Sequence, residues 1–143
     1  KNLIFVPLKS KKICLYVGKY HPLYHEESVD FSDLPKLRFV RGVRDFFSME
    51  HHLESVSMGI IDTKNLHHSV YTNSDHLYTD LLLYTDVCSL GLDFMHEPYE
   101  QYDIKSLPIN GCEPFLQIGY IRDPERVLSE QSVWIIENFE KML

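Results

Sequence analysis

Residues 74–92 read SDHLYTDLLLYTDVCSLGL, and this stretch decides how the rest of the chain is arranged. Ser74 and Asp75 can accept hydrogen bonds from first-turn N–H groups, which is the chemistry of a helix N-terminus. Leu77, Leu81, Tyr84, Cys88 and Leu92 follow at steps of three and four, so a helix would place them on one face. Leu82, Leu83 and Val87 widen that face, as expected of a helix with little exposure. Gly91 can adopt positive φ and close it. The spacing therefore predicts a long, buried central helix over residues 74–91.

The chain around it has 143 residues, with 44% hydrophobic, 24% charged and 13% aromatic residues. That is a one-domain length and a globular composition, without repeats or low-complexity segments. A net charge of −7 argues against a general nucleic-acid or anionic-membrane surface. Lys9, Lys11 and Lys12, and again Arg38, Arg41 and Arg44, form local basic clusters. These read first as solvated faces, with anion binding as the alternative. No apolar run reaches membrane-spanning length and no signal peptide is visible. Cys14, Cys88 and Cys112 are odd in number and lack metal-ligand spacing, so a reduced, cytoplasmic setting is expected. The chain enters the apolar run Leu3-Ile4-Phe5-Val6 almost at once, which leads to the expectation of further protein upstream.

Residues 2–8 and 12–18 read as strands joined by a basic turn, with Pro7 placing the first at an edge. Residues 30–37 suggest a turn into a short helix or an extended piece, and 38–47 could be helical although Gly42 weakens it. Residues 55–62 read as a central strand. Asn110-Gly111 signals a turn feeding a strand over 113–121. Residues 128–142 form an amphipathic helix whose Val133, Trp134, Ile136, Phe139 and Met142 call for a partner surface. The order strand, strand, helix, strand, helix, strand, helix points to an α+β fold, a mixed sheet flanked by helices.

Bottom-up, no catalytic constellation assembles. The histidine pairs 51–52 and 67–68 are adjacent, so their side chains diverge, and neither HExxH nor CxxC is present; no metal site is expected. G-x-S-x-G and glycine-rich phosphate loops are absent. Cys88 on an apolar face reads as core, not nucleophile.

Several short motifs nevertheless occur in a familiar order. A strand ending in Asp62 leads to Lys64, Leu66 and Tyr71; the main helix closes on Leu90-Gly91-Leu92; Leu107-Pro108 and the segment 113–120, EPFLQIGY, follow. Gly18-Lys19-Tyr20-His21 adds a Gly-x-Tyr-His turn. This order resembles the C-terminal half of the nitroreductase superfamily, nearest to the flavin-dependent azoline dehydrogenases of ribosomal peptide modification. The resemblance implies a single nitroreductase-like domain over residues 1–143, lacking an N-terminal part. It also implies FMN as cofactor, Tyr71 as catalytic residue, and Gly91, Leu92, Arg122 and Arg126 as cofactor-binding residues. Val70 stands where that family carries Lys, and Thr79 where it carries Arg. Losing two cations weakens an anionic cofactor site by roughly 1.5–3 kcal/mol each.

Two expectations follow. The chain is the distal part of an FMN-dependent oxidoreductase acting on a peptide, or it is a lapsed relative serving as scaffold or partner-binding subunit. Either way the 128–142 helix is expected to form a homodimer or a contact within a larger complex. No nucleic-acid or membrane partner is expected.

Overall fold

A computed structural model describes residues 2–43, 54, 57, 66, 68–93, 101–114 and 116–143. The chain divides into two compact units, one of residues 12–113 and one made of residues 1–11 with 114–143.

The larger unit is built on a five-stranded mixed sheet. Its strands are β2 (Ile13–Gly18), β3 (Phe39–Gly42), β4 (Ser69–Thr72), β5 (Cys88–Leu92) and β6 (Ile104–Pro108), in the order β4-β3-β5-β2-β6. The sequence KICLYVG is apolar without alternation, and all six residues of β2 are buried. A strand covered on both faces reads as a continuous apolar run. β2 pairs antiparallel with β5 and with β6, whereas β3 runs parallel to β4 and to β5. Helix α1 (Asp75–Tyr84) lies on one face, where Leu82 and its neighbours Tyr78, Leu81 and Leu83 pack with Cys14, Tyr16, Val40, Val87 and Ile104. A 3₁₀ turn, Phe31–Lys36, contributes buried Phe31 and Leu34.

The smaller unit pairs β1 (Ile4–Lys11) antiparallel with β7 (Leu116–Arg122), followed by helix α2 (Glu130–Met142). A register shift after Pro7 accommodates the residue that cannot donate to the ladder.

Sheet and helices bear out the α+β reading, but the long central helix over 74–91 is not observed. Helix α1 begins at the expected cap, with the Ser74 hydroxyl accepting from Leu77 N–H at 3.2 Å. It stops seven residues early because Thr85 takes extended backbone angles and its hydroxyl donates back to the Leu81 carbonyl. The same hydroxyl oxygen accepts Val87 N–H at 3.3 Å, which fixes the exit turn. Such side-chain bonds compete with helix propagation. Beyond it, Cys88 to Leu92 form β5 rather than a last helical turn. Gly91 is not a helix cap. It sits in β5 because a Cβ there would come within 2.6 Å of the Tyr16 ring. Tyr16 lies across this strand and its hydroxyl bonds the Leu92 carbonyl.

Two further expectations change. β1 and β2 do not form a hairpin: β1 continues to Lys11, pairs with β7, and belongs to the other unit. Within 38–47, residues 39–42 form a strand, as the parallel ladder to β4 requires. The strand expected over 55–62 falls on residues that lie, but for Ser57, outside the described ones. The turn at Asn110-Gly111 is present, with Gly111 at φ 76°, the left-handed conformation that favours glycine.

Candidate functional site

The parallel register of β3 and β4 aligns Phe39 with Ser69 and Gly42 with Thr72, so both strands end level. Val43 N–H continues the ladder to the Thr72 carbonyl at 3.0 Å. The chain then turns through Asn73 into α1. Thr72 is buried, and its hydroxyl oxygen accepts Ser74 N–H at 3.1 Å, which sets the angle between strand and helix. Ser74 caps α1 through both its hydroxyl and its carbonyl, the latter accepting Tyr78 N–H at 2.9 Å.

These ends enclose a cleft of about 380 Å³ lined by Gly42, Val43, Thr72, Asn73 and Asp75. The position is where open sheets with parallel strands take ligands, outside the carboxyl ends. The lining also has ligand-site chemistry. The Thr72 hydroxyl and the Asn73 amide can donate or accept, the Asp75 carboxylate accepts only, and Gly42 leaves room. A Cβ at Gly42 would meet nothing within 4 Å.

A second cleft, about 480 Å³, is lined by Tyr24, His25 and residues 103–106. It opens at the amino end of β6. Its central cation, Lys105, is occupied in holding the 24–26 turn through the Tyr24 and Glu26 carbonyls. It is therefore a poorer ligand site than the first.

Tyr71, expected as catalytic, lies on β4 with 60% of its surface exposed and accepts from the Arg41 guanidinium at 3.2 Å. Gly91 and Leu92 lie on β5, with β3 between that strand and β4. Arg122 and Arg126 belong to the smaller unit. Arg122 donates to the carbonyls of Asp123, Pro124 and Arg126, and Arg126 pairs with Asp123 at 3.7 Å. The cysteines are buried thiols. Burial pushes Cys14 up to about 12 and raises Cys88 and Cys112 as well, so none is a ready nucleophile. Val43, Thr72 and Asn73 went unremarked in the sequence, and Gly42 was noted only as a weak point in a helix. Thr-Asn-Ser-Asp directly after a β-leaning segment was the available signal.

No family model and no curated protein matches the sequence. Solved structures do match. The effector-binding domain of QuiR in complex with shikimate aligns at TM-score 0.64 and 20% identity, over 96% of this chain and 63% of that one. The CcmR regulatory domain of Synechocystis in complex with 2-PG aligns at TM-score 0.64 and 11% identity, over 98% and 66%. HinK, a LysR family transcriptional regulator from Pseudomonas aeruginosa, aligns at TM-score 0.64 and 11% identity, over 99% and 48%. The chain thus spans less than two-thirds of each of these matched chains, and at these identities the likeness shows the fold.

That fold is the one of LysR-type effector-binding domains, and it corrects the nitroreductase resemblance. The expected FMN, the oxidoreductase or dehydrogenase function, and the lapsed-nitroreductase alternative are overturned with it. The physical reason lies in the motifs: a Gly-x-Tyr-His turn and a Leu-Gly-Leu run are backbone features that unrelated α+β folds share. Here Leu-Gly-Leu is a strand packed on Tyr16, not the end of a family helix. The exclusion of nucleic acid from net charge is not supported by these likenesses either, since HinK is a transcriptional regulator. No helix among the described residues is long and apolar enough to cross a membrane.

Proposed function

We propose that this chain is part of a ligand-sensing regulatory domain, and that it takes a small polar molecule in the cleft at the carboxyl ends of β3 and β4. The observation that carries the reading is that cleft, lined by Gly42, Val43, Thr72, Asn73 and Asp75 at the entry to α1. Its ligand presents hydroxyl or amino donors to Asp75, because a carboxylate in that position would meet a like charge. The likeness to a domain holding shikimate supports a small hydroxylated compound as the class, its hydroxyls rather than its carboxylate facing Asp75. The reading extends to a cytoplasmic regulator of transcription, with DNA contacts made by residues outside this chain, whose own net charge is −7.

The test is calorimetric titration and thermal melting with shikimate and with glucosamine, a hydroxylated amine. At least one should bind, and at a hundred times its Kd it should stabilise the protein by about 2.7 kcal/mol. Gly42→Leu, which places a side chain into the open cleft, should leave the circular dichroism unchanged and remove the response. Binding that survives in Gly42→Leu, or no binding by either compound, would sink the assignment. A homodimer or a larger complex, packed on the 128–142 helix where Trp134 is 65% exposed, is compatible with this reading and uses a separate surface.

A further inference from the structure

Strand β6 ends the five-stranded sheet, so its outer edge has no strand beside it among the described residues. Its inner edge pairs with β2 from Ile104 to Pro108. In an antiparallel ladder each residue turns its N–H and C=O to the same side, and successive residues alternate. Val29 N–H donates to the Pro108 carbonyl at 3.0 Å, so Pro108 faces outward and, by alternation, Ser106 and Ile104 do too. The chain at Val29 bridges to Ile109 and covers the carboxyl end of that edge. Among the described residues, nothing bonds the outward groups of Ile104 and Ser106. Proteins guard such edges with lysine, proline or a covering loop. Pro108 and the Val29 segment do so at one end. At the other, Lys105 would be the guard, but its ammonium is drawn to the Tyr24 and Glu26 carbonyls at 3.3 and 2.5 Å. The cleft of about 480 Å³ lined by Tyr24, His25 and residues 103–106 lies open beside this unguarded stretch.

We propose that this edge takes an extended, basic segment of a partner protein, which adds a strand beside Ile104 and Ser106 and places a side chain in the cleft at Tyr24 and His25. The backbone geometry selects an extended occupant: two residues offer N–H and C=O groups in ladder spacing, which another backbone meets and a compact small molecule does not. Charge selects a basic one. Glu26, Glu27 and Asp30 are exposed along this border, whereas Lys19 is paired with Asp103 at 3.9 Å and Lys105 is committed to its two carbonyls. The site lies at the amino end of β6, across the whole sheet from β4, and stands apart from the small-ligand cleft.

The probe is fluorescein-labelled Lys-Val-Lys-Val-Lys-Val, a basic, strand-prone peptide, followed by anisotropy against the 143-residue protein. It should bind saturably, and hydrogen exchange at the Ile104 and Ser106 amides, read by NMR, should slow when it is bound. The same peptide with every backbone nitrogen methylated keeps its charge but not its donors, and should bind at least about tenfold more weakly. Ser106→Pro removes an outward N–H that β2 does not use, and should weaken the unmodified peptide similarly while the circular dichroism stays unchanged. Glutamate in place of lysine in the peptide should abolish binding. Equal affinity for the methylated and unmethylated peptides, a comparison that needs no variant to fold, would overturn the proposal. So would a lysine peptide that does not bind, a glutamate peptide that binds as well, or a Ser106 amide that slows without peptide as protein concentration rises, which would give the edge to a second copy.

Discussion

His21 shows how a single side chain couples burial to acidity. It is 4% exposed, directly after the turn that closes β2, and its Nδ1 accepts Leu23 N–H at 3.1 Å. That bond needs the neutral ring, and burial lowers its pKa below the usual 6.5 despite the nearby Asp86 carboxylate. A group whose protonated form is disfavoured in the folded state binds its proton more readily when unfolded. Its stabilising effect is therefore complete above about pH 6.5 and is lost as the pH falls below that value. Urea unfolding at about pH 7.5 and 5.5 should show this loss, and His21→Asn, which keeps an acceptor without the proton, should flatten it. Equal pH dependence in the two proteins would exclude His21 as its source.

Ser74 was legible as a helix start because hydroxyl capping is local chemistry, readable from adjacent residues. The cap at Ser74 is where the polar-to-apolar pattern placed it, whereas the helix expected over 128–142 starts at Glu130 behind a Ser129 cap that the sequence reading did not name. The helix end was not legible, since Val87, Cys88, Leu90 and Leu92 fit helical and strand spacing alike. Only the pairing of β5 with β2 decides between them, and that pairing joins residues 71 to 79 positions apart in the chain, from Val17 with Cys88 to Ile13 with Leu92. The cleft escaped for the same reason: Gly42 and Thr72 become neighbours only through the β3–β4 register. Ser74→Ala should cost about 1 kcal/mol of stability, and Ser74→Asp should recover most of it. Urea melts followed by circular dichroism decide this. The same variant should weaken ligand binding at the cleft, because the cap sets where Asp75 stands.

At the scale of the chain, the two units are built to very different standards. Every residue of β2 is buried between β5 and β6, with α1 across one face. The other unit has roughly 40 residues, near the size below which a chain rarely holds a core of its own. Composition could not reveal this, because the apolar residues are plentiful in both; what differs is how many partners the chain gives them. Local opening free energies follow buried contacts. In the 143-residue chain, the amides of β2 should therefore exchange with deuterium slowest. Those of β1, β7 and α2 should exchange faster by several orders of magnitude, since a gap of about 4 kcal/mol already gives a thousandfold. Mass spectrometry of peptic fragments resolves the two groups. Equal protection in both would mean that the smaller unit holds together as firmly as the larger one, and that its exposed apolar residues cost it no stability.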